Sequence, residues 1–102
     1  MNFAPCRANE KSHTGLIGYL DVSYSDLERV FGQPHINGSP DGKTKAEWDI
    51  EFEDGTVATI YDYKSGCDPA ENSCWHVGGF KKVAIGRVTE LLREFGVQFD
   101  EF

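Results

Sequence analysis

Hydrophobic and polar residues alternate strictly over one stretch in the middle of the chain. From Ala46 to Phe52 every second residue is apolar, and the residues between them are acidic. Asp54-Gly55 follows, a pair typical of a two-residue type I′ turn, and the stretch from Thr56 to Tyr63 is predicted to return as the second strand. The pattern predicts a β-hairpin.

The two-residue turn predicts which residues of the hairpin face each other. Val57 would lie opposite Phe52, and opposed residues share a face. The apolar side is then predicted to carry Trp48, Ile50, Phe52, Val57 and Tyr61. The other side is predicted to carry Glu47, Asp49, Glu51, Glu53 and Asp62, with Ala58 and Ile60 between them.

Two elements are predicted before the hairpin. The stretch from Gly15 to Val22 has strand periodicity, and its two glycines favour a bulge or an edge position. A short helix is predicted to begin after Ser23, which resembles the first residue of a capping box, and to end at Gly32 before Pro34.

Two more elements are predicted after the hairpin. The stretch from Cys74 to Val77 is short and apolar and is predicted as a strand that Gly78-Gly79 ends. A final helix is predicted from about Lys81 to Phe95, with Gly96 as its cap. Gly86 inside this helix suggests a close contact with the sheet.

The predicted order β-α-β-β-β-α indicates a single small α+β domain over residues 15–102. Its antiparallel sheet is expected to have the helices packed on one face. Residues 1–14 are predicted to form a polar N-terminal arm. Residues 35–44 and 64–73 are rich in glycine, proline and asparagine and are predicted as loops.

The charge of the chain narrows the classes of partner. Seventeen acidic and ten basic residues give a formal charge of −7 at pH 7, which disfavours nucleic acid and anionic lipid and favours a basic partner. The sequence shows neither a secretory signal nor an apolar run near the ~20 residues of a membrane span. With an odd number of cysteines, this predicts reduced thiols and a cytoplasmic location.

The acidic side of the hairpin is the first candidate site. Alternate residues of a strand lie about 6.6 Å apart, so these carboxylates would form a row suited to a basic protein surface. A solvated outer face that deters aggregation is the structural alternative. A uniformly acidic strand offers neither the split pKa values of paired catalytic acids nor the convergent oxygens of a Ca²⁺ site, so no catalytic residue is predicted.

The segment before the last helix is the alternative candidate site. Glycines at a helix N-terminus expose backbone donors that, with two lysines, could cradle a phosphate or nucleotide, while Tyr61 or Tyr63 could help to stack a base. A plain strand-to-helix turn is the structural alternative. The residues of this candidate are Trp75, His76, Gly78, Gly79, Lys81 and Lys82.

Cysteine and histidine residues raise the question of a metal site. Cys67, Cys74 and His76 could supply three zinc ligands, with Cys6 or His13 as a fourth. The chain has no C-x-x-C motif, so thiols and a sheet histidine without metal are favoured, and no cofactor is predicted. A Cys74–His76 nucleophile pair lacks a group to orient the base.

Several motifs together resemble a group of small bacteriophage proteins. They are His13-Thr-Gly-Leu, Asp21-Val-Ser-Tyr-Ser-Asp-Leu, Phe31-Gly-Gln-Pro, Ala46-Glu-Trp, Asp54-Gly-Thr-Val-Ala-Thr-Ile-Tyr-Asp-Tyr and Trp75-His-Val-Gly-Gly. The resemblance implies an accessory protein that acts inside a bacterial host, and it implies no catalytic residue. The helix and hairpin from Tyr24 to Val57 are also similar in topology to BamE-like lipoproteins and β-lactamase-inhibitor-like domains, but without a lipoprotein signal no envelope role is expected.

These observations predict a non-enzymatic phage-type inhibitor. Its acidic hairpin face would occupy a basic surface on a host defence or nucleic-acid-processing complex. The alternative is a module that sequesters a nucleotide signal through residues 75–82. No enzymatic activity and no direct contact with nucleic acid or membrane are expected, and a homodimer is left open.

Overall fold

A computed structural model describes residues 3–5, 15–34, 46–62 and 74–101. The predicted loops at 35–44 and 64–73 and most of the N-terminal arm lie outside these residues. The strands are β1 (Phe3–Pro5), β2 (Gly15–Asp21), β3 (Glu47–Phe52), β4 (Val57–Tyr61), β5 (Cys74–Gly79) and β6 (Asp100–Glu101). The helices are α1 (Tyr24–Phe31) and α2 (Val83–Glu94).

The strands form one antiparallel sheet in the order β1-β3-β4-β5-β2-β6. Its four long strands and two helices confirm the predicted α+β order β-α-β-β-β-α. The two short strands were not predicted: β1 pairs with β3, with Phe3 opposite Phe52, and β6 pairs with the end of β2. Part of the predicted N-terminal arm therefore belongs to the sheet. The predicted bulge in β2 is confirmed between Leu16 and Gly18.

The hairpin is present, but its loop has three residues rather than two. The Gly55 N–H donates to the Phe52 carbonyl at 2.9 Å, and the Phe52 N–H donates to the Thr56 carbonyl at 2.8 Å. Gly55 has a φ of +87°, as in the common three-residue hairpin loop that ends on a left-handed glycine. Asp54 suits this loop because its Oδ1 accepts the Thr56 N–H at 3.0 Å.

The extra loop residue reverses the prediction for four residues of β4. Ala58 and Ile60 lie on the core side and are fully buried, whereas Val57 and Tyr61 share the side of the acidic residues. Successive side chains of a strand point to opposite faces, so a shift of one residue moves each of them to the other face.

Two tryptophans lie at the centre of the core. Trp48 and Trp75 are fully buried and meet edge to face, with ring centroids 5.4 Å apart. The Trp48 Nε1 donates to the Gly32 carbonyl at 2.8 Å, and the Trp75 Nε1 donates to the Val22 carbonyl at 3.0 Å. These carbonyls flank α1, so both bonds fix this helix against the sheet and satisfy the indole donors.

The predicted helix caps are confirmed. The Ser23 hydroxyl accepts the Asp26 N–H at 3.2 Å, and Gly32 ends α1 with a φ of +83°. After α2, Gly96 has a φ of +71° and the Val97 N–H donates back to a carbonyl of the last turn. This is the bonding pattern of a glycine-terminated helix.

The glycines that approach α2 lie in the sheet. A Cβ at Gly79 would come 2.8 Å from the Ala84 Cβ, and a Cβ at Gly18 would come 2.5 Å from the Ile85 Cδ1. A Cβ at Gly86 would meet nothing within 4 Å, so the contact predicted for Gly86 is wrong. Helix α2 packs closely because two strands lack side chains beneath it.

Candidate functional site

One row of side chains crosses four strands on the sheet face opposite the helices, here called the distal face. Glu47 of β3 lies opposite Tyr61 of β4, and Tyr61 lies opposite His76 of β5. His76 in turn lies opposite Tyr19 of β2. Opposed residues share a face, so Glu47, Tyr61, His76 and Tyr19 form a continuous row, here called the aromatic row.

The three rings of the aromatic row are in contact. Tyr61 stacks on His76 with centroids 5.3 Å and planes 13° apart, and Tyr19 meets His76 at 5.0 Å and 57°. Tyr19, at the outer end, is the most accessible ring, with 36% of its surface exposed. Because aromatic faces carry partial negative charge, such a row with a carboxylate at one end suits a cationic side chain.

Gly78 lies beside this stack in β5. A Cβ at Gly78 would come 2.5 Å from the Thr59 Oγ1, whereas the Tyr61 Cε1, at 3.6 Å, would be in ordinary van der Waals contact. Glycine at this position therefore makes room for the side chain of Thr59.

The positive side chains of the described residues are confined to the helix layer, whereas acidic side chains lie on both layers. Within the described ranges, the lysines and arginines lie on the helices or on the turn that begins α2: Arg29, Lys81, Lys82, Arg87 and Arg93. The charged residues of the described strands are all acids, among them Asp21, Glu47, Asp49, Glu51 and Asp100. The sheet layer is therefore acidic.

The residues of the predicted acidic row differ in exposure. Glu47 and Glu51 are half-buried on the distal face, and Glu53 is exposed in the hairpin loop. Asp49 also lies on the distal face but is only 4% exposed. Glu47, Glu51 and Glu53 are therefore the carboxylates of this row with appreciable solvent access.

Asp62 does not belong to the acidic row. Only 1% of its surface is exposed, and its Oδ1 accepts the Ala46 N–H at 3.0 Å. The prediction failed here because the three-residue loop turns this position toward the helix side.

The glycines of the predicted nucleotide cradle are strand residues. Gly78 and Gly79 belong to β5 and pair with both β4 and β2, so the turn before α2 begins only at Phe80. Their backbone groups are engaged in the sheet ladder. The predicted glycine turn at the helix N-terminus is therefore wrong.

The other residues of that candidate point in different directions. Trp75 is fully buried in the core, where it cannot stack on a base, and His76 belongs to the aromatic row. Lys81 and Lys82 are exposed in the turn. Tyr61 stacks on His76, and position 63 lies outside the described residues.

The predicted metal ligands are only partly described. Cys74 is exposed at the start of β5, on the same face as His76. Within the described ranges, no three His, Cys, Asp or Glu side chains are placed to hold a metal ion. Cys6, His13 and Cys67 lie outside those ranges.

A wide groove extends the acidic surface beyond the aromatic row. It measures about 850 Å³ and lies between the end of β2 and the segment that follows α2. Asp21, Asp26 and Asp100 lie on its walls. Arg93, also in the wall, places its guanidinium 5.3 Å from the ring centre of Phe99.

A smaller cleft of about 280 Å³ lies between the hairpin loop and the start of α2. Val57, Phe80 and Val83 supply its apolar surface, and Asp54 and Lys81 its charged groups. Phe80 and Val83 are 53% and 45% exposed. The sequence patterns did not reveal this cleft, because its two walls, residues 54–57 and 80–84, are far apart in the chain.

An ion pair ties the two walls of this cleft together. The Arg87 Nε donates to the Asp54 Oδ2 at 2.8 Å, and the Arg87 Nη1 lies 3.3 Å from the Glu90 Oε2. Hydrogen bonds from Thr56 and Arg87 lower the pKa of Asp54 from 3.8 to about 2. The hairpin loop is thus fastened to α2.

No protein-family model, curated protein or solved structure was found to match this chain. Neither helix within the described residues has the length and apolar character needed to cross a membrane. The function must therefore be inferred from the geometry of the distal face.

Proposed function

We propose that this protein is a non-enzymatic binding protein whose distal face occupies a basic surface of a partner protein. The observation that supports this most directly is the aromatic row, in which Glu47, Tyr61, His76 and Tyr19 lie side by side across four strands. The acidic character of the described strands around it is complementary to a lysine- or arginine-rich partner.

The proposed contact combines two weak attractions. A partner arginine or lysine over the ring of Tyr19 would gain about 0.5–2 kcal/mol from the cation–π interaction. The carboxylates of Glu47 and Asp21, on the same face, would add electrostatic attraction. Charge complementarity of this kind raises the association rate and selects among partners more than it increases affinity.

The kind of partner can be proposed more specifically. Basic protein surfaces commonly bind the phosphates of nucleic acid, and a protein with a net charge of −7 that covers such a surface would compete with them. We therefore propose an inhibitor of a host defence or nucleic-acid-processing complex inside a bacterial cell. The resemblance to small bacteriophage proteins supports this setting.

A capture experiment from bacterial lysate tests the proposal. The bait proteins are the wild type, the double variant Tyr19→Ala/Glu47→Lys, and Glu94→Lys as a control. Glu94 is exposed at the end of α2, so the control makes the same charge reversal on the helix layer. Circular dichroism verifies that all three are folded.

We expect the wild type and the control to retain the same proteins, and the double variant to lose them. Capture should also weaken in about 1 M salt, where the Debye length is only about 3 Å. If the double variant captures what the control captures, the aromatic row is not the contact surface.

A further inference from the structure

The cleft between the hairpin loop and α2 lies beside the distal face, and we infer that it takes one apolar side chain of the same partner. This inference rests on the proposed function and makes it more specific. The partner segment would bring a cationic side chain to the aromatic row and a hydrophobic side chain to the cleft.

The chemistry of the cleft favours an apolar occupant. Val57 lies opposite Glu51 and so belongs to the distal face, while Phe80 and Val83 leave about half of their surfaces exposed beside it. Adjacent exposed apolar side chains beside a concave surface are typical of an interaction site. A volume of about 280 Å³ is near the lower end of the ~300–1,000 Å³ of ligand pockets and is large enough for one leucine or phenylalanine side chain.

The cleft is held in shape before any partner arrives. One wall is the hairpin loop and the other is the start of α2, and the 2.8 Å bond between Asp54 and Arg87 joins them. Asp54 is itself fixed by the Thr56 N–H at 3.0 Å. A pre-formed pocket avoids the entropic cost of ordering its walls on binding.

The distance between the two contact points defines the partner segment. Phe80 follows His76 by four residues, and Val57 precedes Tyr61 by four. At about 3.3 Å per strand residue, the cleft lies about 13 Å from the aromatic row. The small residues Thr59 and Gly78 lie between the two points, so an extended segment with an apolar residue four positions from an arginine fits both.

Peptide titration of the ¹⁵N-labelled full chain, followed by NMR, tests this spacing. The first probe is an acetylated, amidated serine–glycine peptide with arginine and phenylalanine four residues apart. In the second, alanine replaces the phenylalanine, and in the third the phenylalanine is two residues from the arginine. We expect the first to bind at least about tenfold more tightly, because it alone can bury its ring in the cleft.

Two protein variants test whether the preference for the first peptide arises in the cleft. Phe80→Ser should remove the tenfold preference for the first peptide, whereas Phe95→Ser should retain it. Phe95 is a matched control because its exposed fraction, 47%, is similar to the 53% of Phe80. It lies at the other end of α2, away from the cleft. Chemical shift changes for the first peptide should appear near both Tyr19 and Phe80.

The outcomes separate this inference from the proposed function. Equal affinity for the three peptides, or a preference that survives Phe80→Ser, would overturn the role of the cleft while leaving the aromatic row as the cation site. A fourth peptide, with serine in place of arginine, tests the row itself. If that peptide binds as tightly as the first, the proposed cation site is wrong.

Discussion

Tyr61 stacks on His76 across β4 and β5, with ring centroids 5.3 Å apart and planes only 13° from parallel. This contact depends on the length of the hairpin loop. With three loop residues, Tyr61 points to the distal face, where the side chain of His76 also lies. A two-residue loop would turn Tyr61 toward the core and leave no aromatic row.

The loop glycine should be hard to replace. Gly55 has a φ of +87°, a conformation that costs a residue with a Cβ about 1–2 kcal/mol. We expect Gly55→Ala to lower the free energy of unfolding by that amount. Gly86→Ala is the control, because Gly86 lies in α2 with nothing within 4 Å of a new Cβ, and it should raise stability by up to about 1 kcal/mol. Urea denaturation measures the change in the free energy of unfolding for each variant. Equal changes for the two variants would contradict the idea that the positive φ of Gly55 makes alanine unfavourable there.

The same loop explains why the sequence predicted the helices and strands correctly but not which face of the sheet the side chains of β4 occupy. The caps of α1 were predictable, because Ser23 and Gly32 act on backbone groups within a few residues. The hairpin register was not, because Asp54-Gly55 fits both a two-residue and a three-residue loop. In β4 both alternating sets contain apolar residues, so the pattern could not decide which set faces the core.

The candidate site was harder still to predict. The aromatic row requires β5 to lie between β4 and β2, a non-local arrangement that periodicity along the chain does not encode. Tyr19 was therefore missed, although it belongs to a strand that was predicted. The strands β1 and β6 have only three and two residues, too few to show an alternating pattern.

Two opposed glycines in the sheet should respond differently to the same substitution. Gly79 and Gly15 lie opposite each other in β5 and β2. A Cβ at Gly79 would come 2.8 Å from the Ala84 Cβ, whereas a Cβ at Gly15 would meet nothing within 4 Å. We expect Gly79→Ala to destabilise the fold by about 1–3 kcal/mol through overpacking under α2. Gly15→Ala should be close to neutral in thermal denaturation, and similar losses for both would contradict close packing of α2.

The ion pair between Asp54 and Arg87 predicts a dependence of stability on pH. The pKa of Asp54 is about 2 in the folded protein and about 3.8 ordinarily, so between these values the unfolded chain binds more protons at this site. The stabilisation is therefore fully present above about pH 4 and is lost as the pH falls toward 2. We expect urea midpoints measured from pH 2 to pH 5 to rise with pH across this window.

The variant Asp54→Asn isolates this contribution from the other carboxylates. The amide oxygen can still accept the Thr56 N–H, but the charge that attracts Arg87 is gone. We expect the difference in stability between wild type and Asp54→Asn to be larger at pH 5 than at pH 2. A difference that does not change with pH would mean that the ion pair contributes nothing to stability.

The indole hydrogen bond of Trp75 should contribute more to the free energy of unfolding than that of Trp48. The Trp75 Nε1 donates to the Val22 carbonyl inside the core, whereas the Trp48 Nε1 donates to the Gly32 carbonyl at a partly buried position. Replacing Trp75 with phenylalanine leaves the Val22 carbonyl buried without this donor, at a cost of about 1–3 kcal/mol. The Gly32 carbonyl, at an exposed residue, can exchange its lost donor for water.

We therefore expect Trp75→Phe to lower the urea midpoint more than Trp48→Phe, although both substitutions remove similar volume from the core. Equal losses would indicate that packing, and not the buried hydrogen bond, dominates at both tryptophans.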